Sequence, residues 1–422
     1  MLKISFLGAC NEVARASILI DDGIERILLD YGSNITEIPP LHPRKINKPL
    51  DAVFLTHAHL DHSGSLPLLI SQGQKMPIYA MEVTKRLTRL LLLDSVKIAK
   101  REGYRLGYGK KEVRRTMKMF SNIKYREPIK FSSIEIIGYD AGHIPGSMGF
   151  LVKVDGKNVF FTGDYKDIDT QLLTKADFDE LPEIDILITE STYAKREHPD
   201  RKRLEHEFID FIDETCSNDG IALVSSFAVG RAQEILMILR KYKVKWPVWL
   251  DGMGKKATRI IMEYPELLKD YDGLKKAVKK VRFISSIADR KRALKQPGII
   301  VTSAGMLGGG PVVWYLKHLY DRRDSSLILT GYQVKGTPGR MLLDTGRFVN
   351  DEIDVKVKMS VKWFDFSAHV GRSGLFRTVE KLQPKKIFCI HGEDTFGFAE
   401  ELREMGYDAI APGYVGETFT IK

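Results

Sequence analysis

Cysteine is scarce. The chain holds three, Cys10, Cys216 and Cys389, widely spaced and odd in number. That excludes a disulfide-stapled framework and fits a reducing compartment, so the sequence predicts a cytoplasmic protein. No apolar run reaches the ~18 residues that a membrane span needs, which argues against a membrane partner. The opening residues, Met1–Gly8, read as a strand entering a glycine turn. They show no charged stretch, apolar stretch and cleavage site in succession, so no signal peptide is expected. Internal repeats and low-complexity linkers are absent, which sets aside solenoids and long disordered arms. Acidic side chains are the minority charge: 65 Lys and Arg stand against 55 Asp and Glu, a net +10. A basic balance attracts polyanions, nucleic acid first among them, although ordinary solubility charge gives the same number.

What is present suggests two or three domains: 422 residues, 43% of them hydrophobic, are enough for large cores. Residues 1–60 alternate short β-rich runs with polar or glycine turns, as in Ile18–Ile20, Asp21-Asp22-Gly23, Ile27–Leu29 and Ala52–Thr56. Residues 81–120 read as helical and amphipathic. The charge excess concentrates there, with twelve cations against Asp94, Glu102 and Glu112 between Lys85 and Lys118. A shorter run, Lys275-Lys276 to Lys279-Lys280, reads as the solvated face of a helix. Strands resume at Ile134–Tyr139, Phe150–Val154, Val159–Thr162 and Ile186–Thr189. From about residue 200, helical segments alternate with buried runs at Ile221–Val224, Val248–Leu250, Ile299–Thr302 and Leu327–Thr330, the grammar of a parallel α/β sheet. Near residue 360 the earlier pattern returns. The simplest organisation is one domain interrupted by another: 1–194, an insert over 195–360, and 361–422.

Six of the ten histidines fall in short motifs. The densest is His57-Ala58-His59-Leu60-Asp61-His62, directly after the strand ending at Thr56. Imidazole and carboxylate are borderline ligands suited to zinc, and residues two, four and five apart in such a turn can face two neighbouring ions. A lone histidine is more often a satisfied core residue, but three with a carboxylate in six positions point to metal. Each zinc needs about four donors, so others must complete the set. Candidates sit at strand ends, each beside a glycine: His143 in Gly142–Ser147, Asp164 after Gly163, His369 in Ser367–Gly371, and His391 before Gly392. Asp30 ends the run Ile27–Leu29.

On these residues the chain resembles the metallo-β-lactamase superfamily. His57–His62 matches its His-x-His-x-Asp-His motif, and Asp30, His143 and Asp164 match its remaining metal-site motifs. It resembles more narrowly the β-CASP branch, through Thr189–Tyr193 with its acidic Glu190, through His369 and His391, and through Phe227–Glu234, Thr302–Met306 and Gly331–Thr337. The resemblance covers essentially the whole chain and reaches archaeal homologues of the cleavage subunit of the pre-mRNA 3′-end processing complex, with ribonuclease J nearby. It implies an αββα sandwich with an inserted α/β domain, two Zn2+ per chain, and hydrolysis of RNA phosphodiesters.

Roles follow from the same match. His57, His59 and His143 would hold one zinc; Asp61, His62 and His391 the other; Asp164 and a hydroxide would bridge them. Asp30 would orient ligands or the hydroxide. Glu190 would keep His369 protonated as general acid toward the leaving 3′-oxygen, leaving 5′-phosphate and 3′-hydroxyl ends. In the inserted domain Ser225, Ser226 and Arg231 form a strand-end, helix-start loop suited to phosphate, and Ser303 and Gly305 lie in a second loop. Tyr332 belongs to a third resembling segment. His391 favours RNA over DNA, because the family's DNA-cutting members carry an aliphatic residue there. Single-stranded RNA is the implied partner; a homodimer and RNA-processing or exosome-type partners stay open. So does the mode of cutting, internal or from the 5′ end. Competing readings are a single-stranded DNA nuclease, a small-molecule hydrolase of the superfamily, and an inactive RNA-binding scaffold.

Overall fold

The structure, a computed structural model, describes residues 1–350 and 353–421. The chain forms two compact units. The first comprises Met1–Asp169, Lys175–Glu197 and His369–Lys422; the second comprises Thr170–Thr174 and His198–Ala368. In chain order the first unit contributes β1 (Leu2–Phe6), β2 (Ile18–Asp21), β3 (Arg26–Leu29), β4 (Ala52–Phe54), β5 (Ile78–Ala80), β6 (Phe120–Asn122), β7 (Pro128–Lys130), β8 (Ile134–Asp140), β9 (Met148–Val154), β10 (Lys157–Phe161) and β11 (Ile186–Glu190). The second contributes β12 (Ile221–Ser225), β13 (Val248–Leu250), β14 (Arg282–Phe283), β15 (Gly298–Thr302), β16 (Ser326–Leu329), β17 (Arg347–Val349), β18 (Asp354–Lys356) and β19 (Ser360–Trp363). The first unit resumes with β20 (Lys386–Ile390), β21 (Ala409–Ile410) and β22 (Glu417–Ile421).

Two seven-stranded sheets build the first unit, in the orders β22-β1-β2-β3-β4-β5-β6 and β21-β20-β11-β10-β9-β8-β7. Alternating residues of both enter one core: Ile4, Phe6, Ile20, Leu29 and Phe54 from one sheet meet Ile136, Phe150, Phe161, Ile188 and Phe388 from the other. Phe54 and Phe150 cross edge to face at 5.4 Å between centroids. Truncating a ring such as Phe54 would cost about 3–5 kcal/mol in lost transfer energy and cavity. The opposite faces carry helices. Leu28 and Val53 pack beneath Leu66 and Leu69 of helix Leu66–Ser71. Leu151, Phe160 and Leu187 pack beneath helices Arg372–Leu382 and Thr395–Glu404. The layering is the αββα sandwich anticipated from the sequence. The stretch 81–120, read as helical, is two helices. With α1 (Leu60–Ser63) and α2 (Leu66–Ser71) before them, they are α3 (Glu82–Glu102) and α4 (Lys110–Met119). Gly103, left-handed at φ 77°, ends α3, as such caps commonly do.

The second unit is a parallel six-stranded sheet ordered β14-β13-β15-β12-β16-β19, with a small antiparallel pair β17-β18 beside it in sequence. Strands β12, β15 and β16 are wholly buried, as continuous apolar runs covered on both faces require. Its helices include α5 (Arg201–Ser217), capped by Asp200 accepting from Arg203 N at 2.8 Å, and α6 (Arg231–Lys241). The unit runs beyond residue 360, because β19 pairs in register with β16 from Ser326↔Ser360 to Leu329↔Trp363. The five-residue piece 170–174 joins it through Glu234, which accepts from Gln171 N at 3.0 Å and Leu172 N at 2.8 Å.

Candidate metal centre and active site

Every metal-motif residue lies at the C-terminal end of a strand in the first unit. Asp30 follows β3, His57–His62 follows β4, His143 follows β8 and Asp164 follows β10. Glu190 closes β11 and His391 follows β20. Carboxyl ends of parallel strands converge where side chains from distant sequence can meet. Tight backbone makes the approach possible. Gly32 runs against the metal loop so closely that a Cβ there would lie 1.6 Å from Asp61 O. Asp30 and His391 adopt φ of 59° and 51°, a left-handed conformation that costs a non-glycine residue roughly 1–3 kcal/mol and concentrates at functional sites. Hydrogen bonds hold His391 there: its N–H donates to Ala9 O at 3.0 Å and Thr192 Oγ1 donates to its carbonyl at 3.1 Å.

Three overlapping ligand groups result among the described residues. His57, His59 and His143 form one; Asp61, His62, Asp164 and His391 form another; His143, Asp164 and His369 form a third, with the offered atoms within 4.8 Å of one another in each. Asp164 belongs to the second and third and borders the first. Its Oδ2 is 3.3 Å from His62 Nε2, 3.5 Å from His57 Nε2 and 3.7 Å from His143 Nε2, while its Oδ1 is 3.6 Å from His391 Nδ1. His391 Nε2 is 3.5 Å from Asp61 Oδ2.

The protein leaves several offered atoms without hydrogen bonds: His62 Nε2, Asp164 Oδ1 and His391 Nε2 are all buried with no such partner, while His59 turns Nδ1 to within 3.1 Å of His57 Nε2 and His143 Nε2. Unpaired buried polar atoms are costly and rare, and three within one ligand group fit cation ligation. The neighbouring bonds orient them. His62 Nδ1 donates to Asp30 Oδ2 at 2.7 Å, and Asp30 is itself held by Thr56 N at 2.7 Å and Thr56 Oγ1 at 2.8 Å.

The chain's own charges set the protonation. Burial and then the charge of His62 push His57 well down, which leaves it neutral and able to ligate. Burial also opposes charge on His62, but Asp164 and Asp30 overcome it and hold His62 well above its ordinary range. A cation would have to displace that proton, so metal binding here releases protons. Burial likewise opposes charge on Asp164, yet His62, His391 and His369 drive it well below the usual carboxylate range.

His369 belongs to the third group alone. Its Nδ1 is 2.8 Å from Glu190 Oε2 and 3.9 Å from Asp164 Oδ2. Burial pulls its pKa down, but Glu190 and then Asp164 outweigh that and raise it to about 9. Glu190's other oxygen accepts from Tyr165 N at 2.9 Å. Three supporting residues escaped the sequence reading. Thr56 grips Asp30, the Tyr165 amide fixes Glu190, and buried Lys166 donates through Nζ to His369 O at 2.6 Å. Only their adjacency to His57 and Asp164 could have flagged them.

The six residues read as phosphate contacts lie in the second unit, at the carboxyl edge of β12, β15 and β16, where Ser225 is paired with Thr302 and Leu329. They converge, but two are occupied. Ser225 is fully buried and its Oγ donates to Ala304 O at 2.8 Å. Arg231 is buried and its guanidinium donates to Thr330 O. These two brace the loop edge. Ser303 Oγ accepts from Met253 N at 3.3 Å, Gly305 lies on the Phe227 ring, Tyr332 is half-buried, and Ser226 Oγ is buried with no hydrogen-bond partner.

Comparison with known proteins agrees with this geometry. The metallo-beta-lactamase superfamily domain matches residues 16–192, the Beta-Casp domain 232–342, and the Zn-dependent metallo-hydrolase RNA specificity domain 354–412. A protein named probable RNase MJ4 from Methanocaldococcus jannaschii is 39% identical over 97% of this chain and 98% of its own length. RNase aCSPSF2 of Saccharolobus solfataricus is 35% identical over 97% of this chain and 83% of its own. An RNase J-like protein of M. jannaschii is 34% identical over 93% of both. Among solved structures, a protein of unknown function from Enterococcus faecalis V583 matches with a TM-score of 0.62 over 100% of both chains, at 15% identity, a likeness of fold alone. With a ligand cluster of this composition and relatives matched nearly end to end, the chain belongs to the β-CASP branch of the metallo-β-lactamase superfamily.

Proposed function

We propose that this metal-dependent ribonuclease cuts single-stranded RNA at a pair of zinc ions and leaves 5′-phosphate and 3′-hydroxyl ends. His57, His59 and His143 would hold one ion and Asp61, His62 and His391 the other, with Asp164 shared. The observation that carries this is Asp164, whose carboxylate lies within 4 Å of histidines from both groups. Five imidazoles and two carboxylates favour zinc over the all-oxygen sites of magnesium or calcium. When bound, such a pair supplies a nucleophile from water at neutral pH and offsets charge building on phosphate oxygens.

The chain's residues do the rest. Asp30 fixes the His62 ring so that Nε2 faces the ligand group. Glu190, tied by the Tyr165 amide, takes the His369 Nδ1 proton as a hydrogen bond and leaves Nε2–H to protonate the departing 3′-oxygen. Glu190 is not among the ligand groups, so its hold on His369 persists when the charge of Asp164 is drawn to cations. In the second unit, main-chain N–H groups at the Ser226–Arg231 and Ser303–Gly310 loops would bind phosphate, and the Tyr332 ring would stack on a base. The names of the RNase relatives and the matched RNA specificity domain, which spans His369 and His391, support RNA as substrate.

The test is parallel digestion of RNA and single-stranded DNA, with zinc quantified in the purified chain. RNAs bearing 5′-triphosphate, 5′-monophosphate and blocked ends would map the cutting mode. Zinc near two per chain with RNA cut to 5′-phosphate products is expected. DNA cleavage alone, or turnover of thioesters but not RNA, would overturn the reading.

A further inference from the structure

Helices α3 and α4 pack against each other on the outside of the first unit and present a cationic face that the metal centre does not use. On α4 the exposed side chains Lys111, Arg114, Arg115 and Lys118 form one stripe opposite buried Val113 and Thr116. On α3, Lys97 and Lys100 are exposed on the turns before Gly103. Lys85 pairs with Glu82 and Arg101 with Glu102, while these six carry no ion pair among the described residues. The acid within α4, Glu112, is turned back to accept from Gly109 N at 2.9 Å, so it caps the helix instead of neutralising the stripe.

The arrangement works against the helix. Lys111–Arg115 and Arg114–Lys118 are like charges four residues apart, which repel. Lys110 and Lys111 occupy the helix N-terminus, where the macrodipole disfavours cations. A face selected for solubility would interleave signs; a stripe of one sign, kept against local stability, fits a polyanion.

Its position says which one. The N-terminus of α3 touches the metal loop: Thr84 Oγ1 donates to Gly146 O at 2.9 Å, three residues beyond His143. From Thr84 to Lys97 and Lys100 the helix runs on by roughly 20–24 Å. The loop joining α3 to α4 is tied to the same centre, since Tyr108 Oη donates at 2.9 Å to the carbonyl of Gly64, the residue that ends the short helix carrying Asp61 and His62. The partly exposed ring of Tyr104 lies in that loop among the cations.

We propose that the α3–α4 face is an accessory RNA-binding surface that holds the substrate strand by its phosphates at a distance from the scissile bond. The proposal rests on the chain acting on RNA. At about 3.4 Å per stacked nucleotide, a strand needs roughly six nucleotides to run from Thr84, beside the metal loop, to Lys97 and Lys100 at the far end of α3, so the surface discriminates by RNA length.

The experiment compares the full chain with a variant carrying K111Q, R114Q, R115Q and K118Q, binding fluorescent single-stranded RNA in chelator, so that nothing is cut. For RNA of about 30 nucleotides the variant should bind at least about tenfold more weakly at ~0.1 M salt, with a log–log salt slope shallower by about 3, at 0.7 per lost contact. For RNA of about four nucleotides, affinity should be equal for the two chains. R114K with R115K keeps the charge and should bind long RNA as the original does. Because repulsion is relieved, Tm of the glutamine variant should not fall, which separates lost binding from lost fold.

Unchanged affinity and slope on long RNA would overturn the proposal. So would unchanged RNA binding accompanied by lost binding to anionic vesicles, which would make the face a lipid surface. A chain that cuts no RNA yet loses long-RNA affinity on neutralising the stripe would defeat the nuclease reading and leave this one standing. A chain that cuts RNA and keeps its affinity would defeat this one alone.

Discussion

Two edges of this molecule look alike in sequence and differ in how their polar atoms are used. Both are carboxyl ends of strands, both are rich in glycine and small polar residues, and both carry family motifs. At the edge of the first unit, His62 Nε2, Asp164 Oδ1 and His391 Nε2 lie buried in one ligand group and none is hydrogen-bonded within the protein. At the edge of the second, Ser225 and Arg231 are spent on main-chain carbonyls of the neighbouring strand-end loops. A cluster of unpaired buried ligand atoms points to something from outside the chain, and a satisfied atom to a strut; at the second edge Ser226 Oγ alone of the six residues read as phosphate contacts is buried and unpaired. Motif similarity does not separate these cases, and hydrogen-bond accounting does.

The widest contrast is testable by removing ligands. Replacing Asp61 and His62 with alanine takes two donors from one group, and cleavage should vanish while RNA binding stays. Product gels, binding titration and metal analysis check this together, and full activity with undiminished metal would dissolve the contrast. His369→Ala comes next. In the proposed assignment the residue holds no metal, so metal content should persist while the chemical step slows roughly 10²–10⁴-fold, the usual worth of a positioned proton donor. Single-turnover kinetics would show it; loss of metal with the rate would instead make His369 a ligand, as its place 3.9 Å from Asp164 makes conceivable. On the second edge, Tyr332→Ala should weaken RNA binding by about 1–3 kcal/mol, one stacked base, with cleavage chemistry intact at saturating RNA.

The residues of the candidate ligand groups were legible in the sequence because ligation is written in side-chain types. His57, His59, Asp61 and His62 occupy six consecutive positions, and no other reading accounts for that density as economically. Strands and the parallel character of the second sheet were legible for a similar reason, since burial on one face or two leaves alternating or continuous apolar runs; the αββα layering came from the family resemblance, and the strand orders were not read. What stayed hidden acts through the backbone. The Tyr165 amide that fixes Glu190 would be offered by any residue except proline, and Lys166 answers a carbonyl more than two hundred positions away. The transfer of residues 170–174 to the second unit depends on Glu234 meeting two amides, a contact with no local signature. The break between α3 and α4 was written in Gly103, Gly107 and Gly109, but the helical period on either side masked it.

Ser225 offers the finest cut between the two edges. Its sequence setting, a small hydroxyl between a buried strand and a helix start, is what a phosphate contact requires. The structure gives that hydroxyl to Ala304 O at 2.8 Å, with Gly305 O at 3.3 Å, and leaves the side chain without exposed surface. Ser225→Ala should therefore act on the fold. It removes a buried hydrogen bond, though Ala304 O keeps Leu307 N and Gly305 O keeps Gln333 Nε2, so the cost is about 0.5–1.5 kcal/mol and the denaturant midpoint falls without a change of slope. RNA affinity of the folded variant should match the original. If the midpoint held and affinity fell instead, Ser225 would be a ligand contact after all. The rule that satisfied polar atoms are struts would then fail at the position where it is stated most sharply.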